Sequence, residues 1–191
     1  LPRSRRSLFS PAAFGTALVT KTVVDRVVSE NGRVRIAHGA EVQAGTGLGD
    51  VVAQARGGVP MRRDPGGPDH GAMDGSPAQG AIEHVTFGER STEEIIAGDT
   101  AELTTAGTRA LSALVVEPTI ETFLEVSRRF AREAELLTPR TEEAIRAVGE
   151  AGGEAAMAML GETVFALDDG LSAAGYDAER CEVSVAGAHL Q

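Results

Sequence analysis

Apolar side chains recur at helical spacing over most of this chain up to residue 148, broken by an alternating stretch at 81–87. Residues 12–28 read as helix, with apolar groups at Phe14, Leu18, Val23 and Val27, Ser10 as N-cap and Pro11 in the first turn. The β-branched Thr and Val residues between them make this a weak helix former. Asn31-Gly32 reads as a turn, and 33–44 as a second helix in which His38, Glu41 and Val42 share a face by i, i+3, i+4 spacing. A short helix is expected over 51–55, stopped by Gly57-Gly58, then an extended piece over 59–63. The Gly-, Pro- and Asp-rich stretch 64–80 reads as loop. Residues 81–87 alternate as a strand, with Ile82, His84 and Thr86 on one face and Glu83, Val85 and Phe87 on the other. Ser91-Thr92-Glu93-Glu94 has the residues of a helix start.

Beyond residue 100 the helical period is strong. Leu103, Leu111 and Leu114 mark one helix, and Pro118 the first turn of another with the stripe Ile120, Phe123, Leu124, Phe130 and Leu137. A third covers 139–148, with Thr138 as N-cap and Gly152-Gly153 as terminator. A buried strand over 155–160, a two-residue turn at Gly161-Glu162 and a strand over 163–167 make a hairpin. A brief helix over 171–176 and a last strand over 181–185 complete the chain. The layout is α+β, helices on an antiparallel sheet, without the βαβ alternation of a dinucleotide-binding domain. We place the domain boundary between 80 and 81, giving domains 1–80 and 81–191.

Composition narrows the function classes. The 191 residues carry a net charge of −10, which argues against a nucleic-acid partner needing a basic face. No apolar run reaches membrane-span length, so no membrane role is expected. The one cysteine, Cys181, rules out an intramolecular disulfide framework, and in its expected strand it reads as a small core residue. The expectation is a cytoplasmic protein. Many carboxylates, a single lysine (Lys21) and 4% aromatics suggest a salt-adapted or GC-rich source.

Candidate chemistry concentrates in Gly45-Thr46-Gly47-Leu48-Gly49-Asp50. Three alternating glycines permit positive φ and close approach of a ligand to backbone. Glu41 precedes the loop and Asp50 opens the next helix, so two carboxylates flank a flexible turn. That arrangement can hold a metal or activate a hydroxyl. From spacing alone, a helix end, a turn and an N-cap with no chemistry is the commoner meaning of such a pattern. The glycines do not form a dinucleotide fingerprint, because they follow a helix and Asp50 stands where a third spaced glycine is needed.

The run Ala37-His38-Gly39-Ala40-Glu41, then Gly45-Thr46-Gly47-Leu48-Gly49-Asp50-Val51-Val52-Ala53-Gln54-Ala55-Arg56-Gly57-Gly58, closely resembles the archaeal pantoate kinases of the GHMP kinase superfamily. So do Leu136-Leu137-Thr138-Pro139 and Gly152-Gly153-Glu154-Ala155-Ala156-Met157-Ala158-Met159-Leu160-Gly161, and the likeness extends from Ala12 onward. The resemblance implies a remnant of an S5-like N-terminal domain followed by a ferredoxin-like C-terminal domain. It implies ATP-dependent phosphorylation of pantoate to 4-phosphopantoate, on the archaeal route to coenzyme A, and is compatible with a homodimer. By the same resemblance Glu41 holds Mg²⁺, Asp50 is the base, and Thr46, Gly47 and Gly49 meet the acceptor substrate. Ser10 corresponds to the last serine of the ATP loop, and Gly152 and Gly153 to a C-terminal glycine segment near the nucleotide. The pattern departs before Ser10: Leu1 to Phe9 contain no glycine where the family has a glycine-rich phosphate loop. The expectation is therefore a truncated or frameshifted kinase of impaired activity. The alternative is a degenerate paralogue that only binds a small molecule.

Overall fold

The computed structural model describes residues 28–44, 50–76, 78–88, 100–158 and 161–188, without the side chains of Ala44, Asp50 and Ser76. The helix expected over 12–28 (but for its last residue), the helix start at 91–94, Ser10 and the loop 45–49 lie outside the described residues. The chain divides into two compact units, Leu1–Ala78 with Ser184–Gln191, and Gln79–Val183. The final segment thus falls with the first unit, where a simple cut at 80/81 would leave it in the second.

In the first unit, helix α1 (Glu30–Ala44) packs on helix α2 (Asp50–Arg56) through Val34, Ala37, Val51 and Val52. Asn31-Gly32 belongs to α1 and makes no turn. Ser29 decides this: its hydroxyl accepts from the Gly32 N–H at 3.1 Å, and its carbonyl from the Arg33 N–H at 3.0 Å. A serine cap satisfies the orphan amides of a first turn, which outweighs the local preference of Asn-Gly. Val42, expected beside Glu41, is instead half exposed, and the buried stripe runs Val34, Ala37, Glu41.

Helix α2 ends at Gly57 and Gly58, both at positive φ (71° and 65°). The chain end returns here: Gly58 N–H donates to Ser184 O at 2.7 Å and Ala188 N–H to Gln54 O at 2.8 Å. A Cβ on Gly57 would stand 2.5 Å from the carbonyl carbon of Ala186, so the returning segment needs glycine there. Strand β1 (Val59–Arg62) pairs antiparallel with β2 (Met73–Ser76). β2 lies inside the stretch expected to be all loop. Met73-Asp74-Gly75-Ser76 has one apolar residue and no alternation, so it carries no strand signal; its partner β1 supplies the ladder.

The second unit is built on a four-stranded antiparallel sheet of order β4-β5-β3-β6, from β3 (Ala81–Thr86), β4 (Ala155–Ala158), β5 (Thr163–Leu167) and β6 (Glu179–Glu182). Helices α3 (Ala101–Val116), α4 (Ile120–Glu133) and α5 (Pro139–Glu150) fall between β3 and β4, and the one-turn α6 (Gly170–Ala173) between β5 and β6. This is the βαββαβ strand order of a ferredoxin-like sheet. Register aligns Glu83 with Ala166 and Val85 with Val164, while Ala155 and Met157 face the same two β5 residues from the other side. That face carries the core, closed by Ala144 and Val148 of α5 and Leu171 of α6. Arg140 lies 5.1 Å over the Phe87 ring, which meets Tyr176 edge-on at 6.0 Å.

Thr138 caps α5 through a reciprocal box with Thr141, as its sequence position leads one to expect. Pro118 precedes Thr119, the N-cap of α4, and so sits before the helix and not in its first turn. Of the strand expected over 155–160, Ala155–Ala158 pair with β5, Ala158 opposite Thr163, and 159 and 160 lie outside the described residues. The last strand, expected over 181–185, is β6 at Glu179–Glu182, and all four of its residues are exposed, Cys181 among them. Cys181 is therefore not a core residue. The one-turn helix α6 precedes this edge strand. No described helix is long and apolar enough to cross a membrane.

Candidate active site

Helix α1 positions a carboxylate where its own pattern calls for an apolar group. Val34, Ala37 and Glu41 occupy successive turns of the face turned to α2, and all three are buried. Glu41 is 1% exposed, and neither of its carboxylate oxygens has a hydrogen-bond partner among the described residues. Burial without a partner strips an ionised carboxylate of water and returns nothing, at a cost of several kcal/mol. Such a group is stabilised by a cation or by a protonated partner. One turn earlier His38 is half buried, and its Nδ1 is enclosed and equally unpartnered.

Asp50 is the first residue of α2. Glu41 lies near the end of α1, so the two acids close and open consecutive packed helices on either side of 45–49. Thr46, Gly47 and Gly49 lie in that loop, outside the described residues, as does Ser10. Among the described residues no three or more His, Cys, Asp or Glu side chains cluster to hold a metal. Mg²⁺ does not require such a cluster: it keeps several waters and takes one or two carboxylates beside substrate phosphates. The buried, unpartnered carboxylate of Glu41 fits that share of a Mg²⁺ site.

A cavity of about 490 Å³ also opens in this unit, lined by Glu30, Val34, Val52, Arg56, Gly67 and Met73 among others. It sits at the first turn of α1 and the last of α2. Seven residues of helix, roughly 10 Å, separate Val34 from Glu41.

The chain is 35% identical over 136 residues to the pantoate kinase of Thermococcus kodakarensis, covering 70% of this chain and 45% of that one. It is 32% identical over 156 residues to the pantoate kinase of Methanocaldococcus jannaschii, covering 80% and 57%. The chain belongs with the archaeal pantoate kinases. It spans about half the length of the curated relatives it matches.

A solved phosphotransferase related to the coenzyme A biosynthesis pathway superposes with a TM-score of 0.79 at 26% identity, over 95% of this chain and 62% of that one. The homoserine kinase of Cytophaga hutchinsonii (TM-score 0.64, 12% identity, 97% and 69% covered) and the mevalonate kinase of L. major (0.67, 14%, 98% and 68%) share the fold alone. The fold is that of the GHMP kinases. No family model matches the chain.

The other expected pantoate-kinase residues, Gly152 and Gly153, stand in the second unit after α5. Gly152 has φ +83°, and Gly153 donates its N–H to Val148 O at 2.9 Å. A Cβ on Gly153 would stand 2.9 Å from Val148 Cγ1 and 3.3 Å from the Cα of Gly170. Both glycines thus have a local backbone or packing reason to be glycine. Glu83, given no role by the sequence pattern, is 4% exposed and bound twice by Ser172. Its signal was its place on the strand face of Val85 and Phe87, where an acid is out of pattern.

Proposed function

We propose that this chain is part of a kinase that transfers the γ-phosphoryl group of ATP to pantoate, giving 4-phosphopantoate. The observation that carries the proposal is Glu41: a buried carboxylate without a partner, nine residues before Asp50, in a chain related to proteins named pantoate kinase. Asp50 takes the proton of the acceptor hydroxyl as its oxygen bonds to the γ-phosphorus and the bond to the ADP oxygen breaks. Thr46, Gly47 and Gly49 present backbone and hydroxyl groups to the acceptor. Glu41 would hold Mg²⁺, which offsets charge on the β- and γ-phosphates when bound. Gly152-Gly153 and Ser10 are the residues of this chain proposed for the nucleotide side.

Leu1 to Phe9 contain no glycine, so that stretch does not supply a phosphate cradle of successive N–H groups. That favours a second reading, in which the chain binds the small acid without turning it over. Incubation with pantoate, Mg²⁺ and ATP, followed by ³¹P resonance of the product, separates the two. A phosphomonoester that appears only with pantoate supports the kinase. Saturable pantoate binding with no product supports the binding protein, and neither result would sink both readings.

A further inference from the structure

His38 and Glu41 are three apart on α1, a spacing that sets side chains on one face with Cβ atoms about 5–6 Å apart. Both carry enclosed polar atoms without a hydrogen-bond partner among the described residues: Nδ1 of His38 and the two oxygens of Glu41. They do not pair with each other. An enclosed imidazole nitrogen and a buried carboxylate each carry a desolvation cost that no described partner returns, and a cation between them would offset both.

The ring of His38 is also held. A Cβ on Gly67 would stand 3.3 Å from His38 Cδ2, so the 66–71 segment bears on that edge of the imidazole. Nδ1 lies on the ring edge opposite Cδ2. Asp69 ties the same segment to α1 through both nitrogen arms of Arg35, with Arg35 Nη2 donating to Oδ1 at 2.9 Å and Nε within 2.5 Å of Oδ2. Arg62 Nη2 donates to Gly66 O at 3.0 Å.

We propose that His38 and Glu41 form a mixed nitrogen–oxygen cation site, which takes borderline divalent ions such as Co²⁺ or Zn²⁺ more tightly than Mg²⁺. The inference rests on the reading of Glu41 as a cation ligand and adds His38 to it. Imidazole suits borderline ions, whereas Mg²⁺ prefers oxygen and keeps its waters. His38 therefore sets ion preference, and Glu41 sets binding as such.

The test is titration calorimetry of the tag-free chain with MgCl₂ and CoCl₂ in separate runs, together with the visible spectrum of the Co²⁺ form. Co²⁺ is expected to bind ~10-fold or more tighter than Mg²⁺, and His38→Gln to weaken Co²⁺ by ~10–100-fold while leaving Mg²⁺ within about threefold. An unchanged Co²⁺ affinity in a folded His38→Gln variant would overturn the proposal. Glu41→Gln should abolish both ions; if Mg²⁺ binding survives it, the reading of Glu41 fails as well. Should His38→Gln not fold, the unaltered Co²⁺ form decides. A paramagnetically shifted, exchangeable imidazole N–H resonance supports the site, and its absence removes His38 as a ligand.

Discussion

Glu83 and Ser172 are joined twice: Ser172 N–H donates to Oε2 at 2.8 Å and its hydroxyl to Oε1 at 2.6 Å. The pair fastens β3 to α6 on the buried face of the sheet. The Ser172 hydroxyl, then its N–H, hold the Glu83 carboxyl below the ordinary glutamate value. Burial works in the opposite sense, and Arg180 and the Leu171 N–H add smaller lowering contributions. A carboxylate favoured by hydrogen bonds in the folded state stabilises that state only while ionised.

The stability that Glu83 contributes is therefore fully present above the unfolded glutamate pKa of about 4.3 and is lost as pH falls through the lower folded value. Glu83→Gln keeps the shape and removes the titration. Denaturation of the parent and the variant across pH 3 to 7 should show the parent more stable near neutrality. That advantage should shrink steadily once pH drops below about 4.3. A difference that stays constant over the whole range would show that the charge of Glu83 does not matter.

Much of this second unit is legible in the sequence because its signals are local. Thr138 and Pro139 announce α5, and the alternation of 81–87 announces β3. What escapes is whatever depends on a partner. β2 exists because β1 pairs with it, and β6 because β3 does, so neither carries an apolar period of its own. Cys181 looks like core only when β6 is imagined as a covered strand. In the first unit the acid Glu41 is visible beside its glycine loop, but not its burial, which depends on the packing of α2 against α1. Asn31-Gly32 misleads because Ser29, two residues earlier, captures it as a helix start.

Three glycines near the end of α5 should respond to alanine with opposite signs. A Cβ on Gly149 meets nothing within 4 Å inside the helix, so Gly149→Ala should stabilise by about 0.5–1 kcal/mol. Gly152→Ala forces a left-handed residue and should cost about 1–2 kcal/mol. Gly153→Ala presses on Val148 and the Gly170 backbone and should cost about 1–3 kcal/mol. Urea midpoints at unchanged m-value report the three effects. Equal effects at 149 and 153 would contradict the packing described here.

Glu41 should be a stability liability when no cation is supplied. Glu41→Leu removes an unpartnered charge from the α1–α2 interface and puts an apolar group in line with Val34 and Ala37. In chelator the variant should melt higher than the parent, by the equivalent of about 1–4 kcal/mol. Mg²⁺ should raise the melting temperature of the parent and leave the variant unmoved. A lower melting temperature for Glu41→Leu in chelator would show that the carboxylate already has a stabilising partner.

Asp50 opens α2, and its proposed role as base separates from a role as helix cap by kinetics. Asp50→Asn preserves size and capping ability while removing the proton acceptor. In a chain that turns over, kcat should fall by ~10²–10⁴-fold with little change in ATP affinity. Turnover equal to the parent's would leave Asp50 as a cap alone.

Nucleotide affinity is the remaining expectation, and it follows from the basic but glycine-free composition of residues 1–9. Successive backbone N–H groups converge on a phosphate when tight turns aim them, and glycine supplies the required φ. Leu1 to Phe9 offer Arg3, Arg5 and Arg6 instead, side chains that attract a triphosphate by charge. Attraction of that kind is screened within about 10 Å at 0.1 M salt and within about 3 Å at 1 M. Calorimetry with Mg-ATP should therefore give weak binding at low salt that disappears at high salt. Replacing residues 1–9 with an in-frame glycine-rich loop should recover binding that resists salt. Tight, salt-resistant binding by the unaltered chain would place a backbone cradle elsewhere, with Gly152-Gly153 the first pair to substitute.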